Sequence, residues 1–444
     1  MKRHCVFSGA GGWLRPRPRG LSGATARLSG WLLAFVCVCG VVPAHAADWL
    51  LVPMDLGQTN HLRAYGYAYH ALQADEPVSW LLNYRGGSFL LRATERARVE
   101  ARVMGVRFEI LGESDVAAVR ATVARENMEE VLLETAPRIA VYTPPYAQPW
   151  DDAVMLALDY ADIPYAKIYD REVLGGGLRE FDWIHLHHED FTGQSGKFYS
   201  LQLEPWYLEQ KEFNENLARE LGFAKVWQLK QAVALRISDY VTAGGFLFAM
   251  CSATDTIDIA LTYLGVDMVP AEYDGDGLDG ARDAKREDGR AFACQGWSLV
   301  VNPLVYEYST IDTTEEAQLR GPEGDDFTLF GFSAKIDPVP AMLTQDHVNV
   351  LNGFMGQTTG FHKQFLKRPV IVLAQVEGTD EVRYLHGKHG QGTFTFLGGH
   401  DPEDYQHAVG DPPTDLDLYP TSPGYRLILN NVLFPAARKK PQKT

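Results

Sequence analysis

The chain is short of cysteine, of long apolar runs and of basic charge, and each shortage excludes something. Five cysteines occur in 444 residues, and Cys5, Cys37 and Cys39 fall among the first 46. Cys251 and Cys294 remain, enough for one disulfide but too few for a zinc ribbon or an iron–sulfur set. After position 46 no apolar run approaches the about 20 residues of a bilayer span. Six of the 41 Lys/Arg and none of the 57 Asp/Glu lie in the first 46 positions, so the remaining chain carries 35 basic residues against 57 and a net charge of −22. A surface that acidic repels phosphate backbones, which excludes nucleic acid as a partner. Internal repeats and low-complexity tracts are also missing. What is present is a chain with 46% hydrophobic and 22% charged residues, ordinary for a protein with a real core.

The amino terminus accounts for the missing positive charge. Lys2, Arg3, Arg15, Arg17, Arg19 and Arg27 precede an apolar run from Trp31 to Val42, and Ala44-His45-Ala46 follows. A basic region, a short apolar stretch and a small-x-small site read as a secretory signal peptide over residues 1–46, cut after Ala46. The expectation is a periplasmic or secreted protein with no membrane span once the signal is removed.

Strand and helix patterns alternate through residues 47–135, which read as a small amino-terminal α/β lobe. Strands are expected at Trp49–Pro53, Val78–Tyr84 and Val106–Leu111, and helices at His61–Leu72, Ala93–Met104 and Asp115–Thr135. The last helix would carry Glu126, Glu129 and Glu130 on a solvated face. A second α/β series spans 136–444, with strands near 139, 183, 248, 372 and 395 and a closing helix at Tyr425–Leu433. Residues 268–345, rich in Asp and Gly, interrupt it as an insertion, either a lid or an edge hairpin. Within it Asp274-Gly275-Asp276-Gly277-Leu278-Asp279 fails as a calcium loop, because Leu278 stands where the fifth position needs a ligand.

The chemically informative junction follows Phe246-Leu247-Phe248-Ala249-Met250, an apolar strand running into Cys251, Ser252 and a helical pattern from Ile257 to Leu264. A sharp strand-to-helix turn exposes one side chain at a sheet's carboxyl edge and needs small residues two before and two after it. Ala249 and Ala253 occupy those places around Cys251. The helix start would favour thiolate, and the Ser252 amide would face an oxyanion. A buried cysteine acting as a small hydrophobe has the same spacing. His400 follows a second strand, Thr393–Leu397, and Asp401-Pro402-Glu403 supplies two carboxylates able to orient an imidazole.

Leu247 to Leu261 resembles the nucleophile elbow of the class I glutamine amidotransferase-like superfamily, and His400-Asp401-Pro402-Glu403 resembles its His-Pro-Glu ending with one residue inserted. Residues 383–400, closed by Tyr425–Leu433, look most like the branch similar to trehalose-utilisation proteins. The opening Trp49-Leu50-Leu51-Val52-Pro53-Met54-Asp55 also looks like exported bacterial proteins labelled asparagine synthetase B. The Ser-Gly-Gly-x-Asp motif of adenylate formation is missing, and the expected mature terminus is Ala47 rather than cysteine. The resemblance implies a doubly wound, mainly parallel sheet with its site at the strands' carboxyl edge. It implies Cys251 as nucleophile, His400 as base, Glu403 or Asp401 as orienting acid and Ser252 at the oxyanion. His187, His188 and Glu189 stand where the family's Gly-Gly-Pro oxyanion loop would follow Leu186, and are assigned to substrate binding.

His185 and His187 alternate along one strand face, the start of a metal site with His400 or His407 as third ligand. An unmetallated polar pocket explains them as well, and no metal or other cofactor is assigned. Two functions follow. One is an exported hydrolase acting on an amide or related acyl bond through Cys251, His400 and a carboxylate. The other is a catalytically silent module on the same fold that binds a small molecule, with carbohydrate as a candidate. The sequence names no protein partner.

Overall fold

Runs of alternating or fully apolar residues sort the strands into two sheets in the computed structural model, which describes residues 48–438. The expected signal peptide and its cut after Ala46 lie outside the described residues. The smaller sheet holds β1 (Trp49–Val52), β2 (Val78–Leu82), β3 (Ser88–Arg92), β4 (Glu109–Leu111) and β5 (Glu129–Leu133), in the order β4-β1-β3-β2-β5 with every pairing antiparallel.

No strand is expected at Ser88–Arg92, yet it doubles back to pair with both β1 and β2. The sequence predicts one helix over Asp115–Thr135, whereas the helix is Glu113–Arg125 and β5 follows it. Val131 and Leu133 alternate inward along β5, and pairing with β2 overrides the helical preference of Glu and Leu. Glu130 is therefore engaged rather than merely solvated: it accepts from Ser79 Oγ at 2.7 Å and pairs with Arg120 at 2.9 Å.

The larger sheet holds β6 (Ile139–Tyr142), β7 (Ala166–Ile168), β8 (Trp183–Leu186), β9 (Phe246–Met250), β10 (Asp326–Leu329), β11 (Val350–Asn352), β12 (Phe361–His362), β13 (Ile371–Gln375), β14 (Glu381–His389) and β15 (Gly392–Leu397). Its order is β11-β10-β13-β14-β15-β9-β8-β6-β7, with β12 against β14. The run β15-β9-β8-β6-β7 is parallel, and β14, β13, β10 and β11 extend it in antiparallel fashion. The fold is α/β: a mixed sheet with a parallel core beside a separate small antiparallel sheet.

Helices cover both faces of the large sheet. Along β9, Phe246, Phe248 and Met250 join one apolar core with the helix Pro423–Leu433, while Leu247 and Ala249 join another with Val226–Thr242. Burial on both faces explains why β9 reads as a continuous apolar run rather than an alternating one. The helix Val226–Thr242 places Leu229, Val233, Ile237 and Val241 on its buried side, as its spacing predicts. Tyr65 of the first helix, His61–Gln73, donates to Asn430 Oδ1 of the last at 2.5 Å.

The 268–345 segment is tied down along its length. Asp258 accepts from the amides of Ala293 at 2.9 Å and Cys294 at 2.8 Å, and Asp255 accepts from Ser309 Oγ at 3.1 Å. Its β10 forms a sheet pairing with β13. Cys251 and Cys294 are both free and buried. Among the described residues no helix is long and apolar enough to cross a membrane.

Candidate functional site

Parallel strands end on a common edge, and four of them deliver the chain's polar residues there. The loop after β6 carries Gln148 to Asp152, β8 leads into His187, His188 and Glu189, β9 into Cys251, and β15 into His400.

Cys251 turns sharply out of β9 with φ of +49°, before the helix Ala253–Thr262. A non-glycine residue in that region is strained, and the surroundings must hold it there. They do: the Cys251 amide donates to Gly399 O at 3.2 Å, and Thr254 Oγ1 donates to Cys251 O at 2.7 Å. Cys251 Sγ accepts from the Gln357 amide at 3.3 Å. Burial pushes the thiol up to about 11, against backbone amides of Gln357, Ser252 and Thr358 that favour thiolate. Burial also raises the Cys294 thiol well above its ordinary value.

His400 bonds elsewhere. It leaves β15 through Gly399, whose φ is +92° and where a Cβ would lie 2.4 Å from the Phe354 ring. His400 Nδ1 faces His187 Nε2 at 3.1 Å, His187 Nδ1 faces His185 Nε2 at 3.3 Å, and His185 Nδ1 faces Phe248 O at 3.1 Å. No hydrogen bond joins His400 to Cys251 among the described residues. Burial first, and then the neighbouring imidazoles, hold His400 well below the usual imidazole range. Burial likewise lowers His185, against the pull of Asp152. Burial opposes ionisation of Asp152 itself, yet His185 and His187 keep its carboxyl well below the ordinary range.

A carbonyl oxygen only accepts, so His185 Nδ1 carries a proton toward Phe248 O. His185 Nε2 and His187 Nδ1 both face Asp152 Oδ1, at 3.5 and 3.4 Å, so the two imidazoles share one buried carboxylate. A single hydrogen bond joins His187 Nε2 and His400 Nδ1. His400 Nε2 is buried without a hydrogen-bond partner.

Neither expected orienting acid reaches this ring. Asp401 accepts from Tyr425 OH at 2.9 Å and from the Glu403 amide at 2.9 Å. Burial raises the Glu403 carboxyl, while a hydrogen bond with Ser422 pulls the other way. His187, rather than either carboxylate, is the hydrogen-bond partner of the His400 ring. Ser252 Oγ is buried and without a partner.

A cavity of about 300 Å³ opens beside His188 and Glu189. Tyr146, Trp150, Phe198 and Tyr207 supply aromatic wall, and Gln148, Gln210 and Asn214 supply polar wall. Trp150 stacks on Phe198 with centroids 5.1 Å apart. Glu189 accepts from the His187 amide at 2.8 Å, and burial, reinforced by the charge on Asp152, pushes its carboxyl up to about 8. Lys230 closes one end through bonds to Asp170 at 2.9 Å and Tyr169 OH at 2.9 Å. Of the residues that the sequence assigns to substrate binding, His188 and Glu189 line this cavity and His187 does not, while Trp150, Gln148 and Gln210 line it without being expected. The Pro-rich, aromatic stretch from Pro144 to Trp150 was the only signal available for the first two.

The chain matches no known protein-family profile and no curated protein. Among solved structures it is similar to the cytoplasmic protein STM3548 from Salmonella typhimurium, with 12% identity and a TM-score of 0.33 over 68% of this chain and 100% of that one. Cytoplasmic protein STM1381 from Salmonella typhimurium LT2 gives 12% identity and a TM-score of 0.30, over 68% and 99%. A beta-galactosidase from Bacillus circulans sp. alkalophilus gives 11% and 0.24, over 61% of this chain and 29% of that one. Likeness at that level says nothing of chemistry.

Proposed function

We propose that the chain is a catalytically silent module on an amidotransferase-like fold, binding a small neutral, hydroxyl-rich ligand of the carbohydrate class. The observation that carries this reading is the cavity wall. Trp150 Nε1, His188 Nδ1, Glu189 Oε1 and Gln210 Nε2 are buried without hydrogen-bond partners, and all four residues line the same cavity. Buried polar groups left unpaired are costly, and a ligand with several hydroxyls satisfies donors and acceptors together. Aromatic walls suit the apolar faces of a sugar ring, and a Glu189 carboxyl pushed up to about 8 by burial is protonated at pH 7, able to donate to a hydroxyl oxygen as well as accept. In the same reading the chain works outside the cytoplasm after losing a leader that ends at Ala46.

The hydrolase reading has one observation in its favour, the strained turn at Cys251 with amides around the sulfur. Against it, the thiol is held protonated and lacks an imidazole partner. The test is a panel of neutral mono- and disaccharides scored by thermal shift and calorimetry, alongside ammonia release from L-glutamine. At least one sugar should bind saturably, Trp150→Ala and Gln210→Ala should abolish that binding, and no ammonia should appear. Absence of binding across the panel, or ammonia release lost in Cys251→Ser, overturns the proposal.

A further inference from the structure

Next to the imidazole chain, and outside the cavity lining, three residues from separate segments meet: Asp151 before the helix Ala153–Tyr160, His400 after β15, and His407 in the following loop. One ligand atom of each lies within 4.8 Å of the others. We propose that Asp151, His400 and His407 form a two-histidine, one-carboxylate site for a divalent first-row transition metal ion.

The geometry carries the argument. His400 Nε2 is buried without a hydrogen-bond partner. His407 stands between two carboxylates, its Nδ1 2.9 Å from Asp404 and its Nε2 2.8 Å from Asp151 Oδ1. In the metal-free chain that second contact is an imidazolium–carboxylate pair, and a divalent cation competes with the Nε2 proton for the same two atoms. Donors about 2.0–2.1 Å from one ion and at right angles to each other are about 2.9 Å apart, close to the separation seen. Asp151 Oδ2 and His400 Nε2 are buried without any partner, so the cluster has ligand atoms to spare beyond the His407–Asp151 contact.

The outer contacts are those a metal site uses. Each imidazole has its other nitrogen held by a fixed partner: His407 by Asp404, and His400 by His187. Such partners set the tautomer and orient the ring. The rings of His400 and His407 lie parallel to within 22°, with centroids 4.9 Å apart. Two imidazoles and a carboxylate select zinc, iron or a neighbouring metal over magnesium or calcium, and three protein ligands leave positions open. His188 groups with His187 and His400 in a second set of three and also lines the cavity, which connects the ion to the ligand pocket.

The test uses the purified full chain, dialysed against chelator and titrated with Co2+ as the probe. One equivalent should bind saturably, raise the melting temperature and give the visible bands of protein-bound Co2+, and Zn2+ should displace it. Asp151→Asn and His407→Gln should abolish the one-to-one binding while circular dichroism stays native. Asp404→Asn should weaken it about 10- to 100-fold, because it frees the His407 ring without removing a ligand. His362→Gln, far from the cluster in sequence and half-buried, should change nothing. Failure of the wild type to bind one equivalent, or binding unchanged in both Asp151→Asn and His407→Gln, overturns the assignment. Sugar binding by the metal-free chain is read separately, so the two proposals fail independently.

Discussion

Cys251 and His400 leave adjacent parallel strands at the same sheet edge, and their backbones touch through the Cys251 N–H and Gly399 O. Their chemistry is nonetheless opposite. The thiol is buried beside backbone amides, and no imidazole hydrogen-bonds to it among the described residues. The imidazole sits in a polar cluster whose hydrogen bonds all run away from the sulfur. Adjacent strand ends therefore bring two residues close without making them a catalytic pair. What each residue can do is set by the partner that takes its hydrogen bond.

The largest effect on this arrangement should come from Gly399, where both halves meet. Gly399→Ala adds a Cβ 2.4 Å from the Phe354 ring at a φ of +92°. A loss of about 2–4 kcal/mol is expected in denaturant unfolding, through steric clash and backbone strain together. Stability within error of the wild type would mean that the turn has slack and that the two side chains are free to approach.

Alkylation of Cys251 breaks or keeps the comparison directly. A thiol is reactive as thiolate, and a folded value of about 11 against the ordinary 9 lowers the thiolate fraction at pH 7 about 100-fold. Labelling by iodoacetamide should therefore be about 100-fold slower than in unfolded chain, and should rise with pH up to about 11 rather than levelling off near 9. His400→Ala should leave the rate within about twofold, since no hydrogen bond joins the residues. Rapid labelling at neutral pH that His400→Ala slows would restore the pair as a catalytic unit.

The smallest effect separates the two carboxylates. Asp401→Ala removes the acceptor of a buried Tyr425 hydroxyl and should cost about 1–3 kcal/mol in the same unfolding assay. Glu403→Ala should cost about 0.5–1 kcal/mol, because it removes one partner of the buried Ser422 hydroxyl, which keeps its bond from the Tyr425 amide. Neither should alter Cys251 labelling. A change in labelling for one of them alone would identify it as the acid behind His400.

The sequence by itself determined where the strands lie and which residues reach their ends. Apolar runs at 139, 183, 248, 372 and 395 became β6, β8, β9, β13 and β15, and the small residues around Cys251 marked the turn that the structure contains. Such signals are local, since a strand's burial and a turn's steric needs are written within a few residues. The single helix expected over 115–135 did not survive, because Glu129–Leu133 reads either way until β2 lies beside it. Only the tertiary structure decided the chemistry. The His187–His400 bond spans 213 positions and the His185–Phe248 bond 63, and together they anchor the His400 ring to its neighbouring imidazoles. Asp151 and His407 carry no pattern that links them in sequence. They meet because their loops leave the same sheet edge, and burial then decides whether a thiol, an imidazole or a carboxyl there is charged.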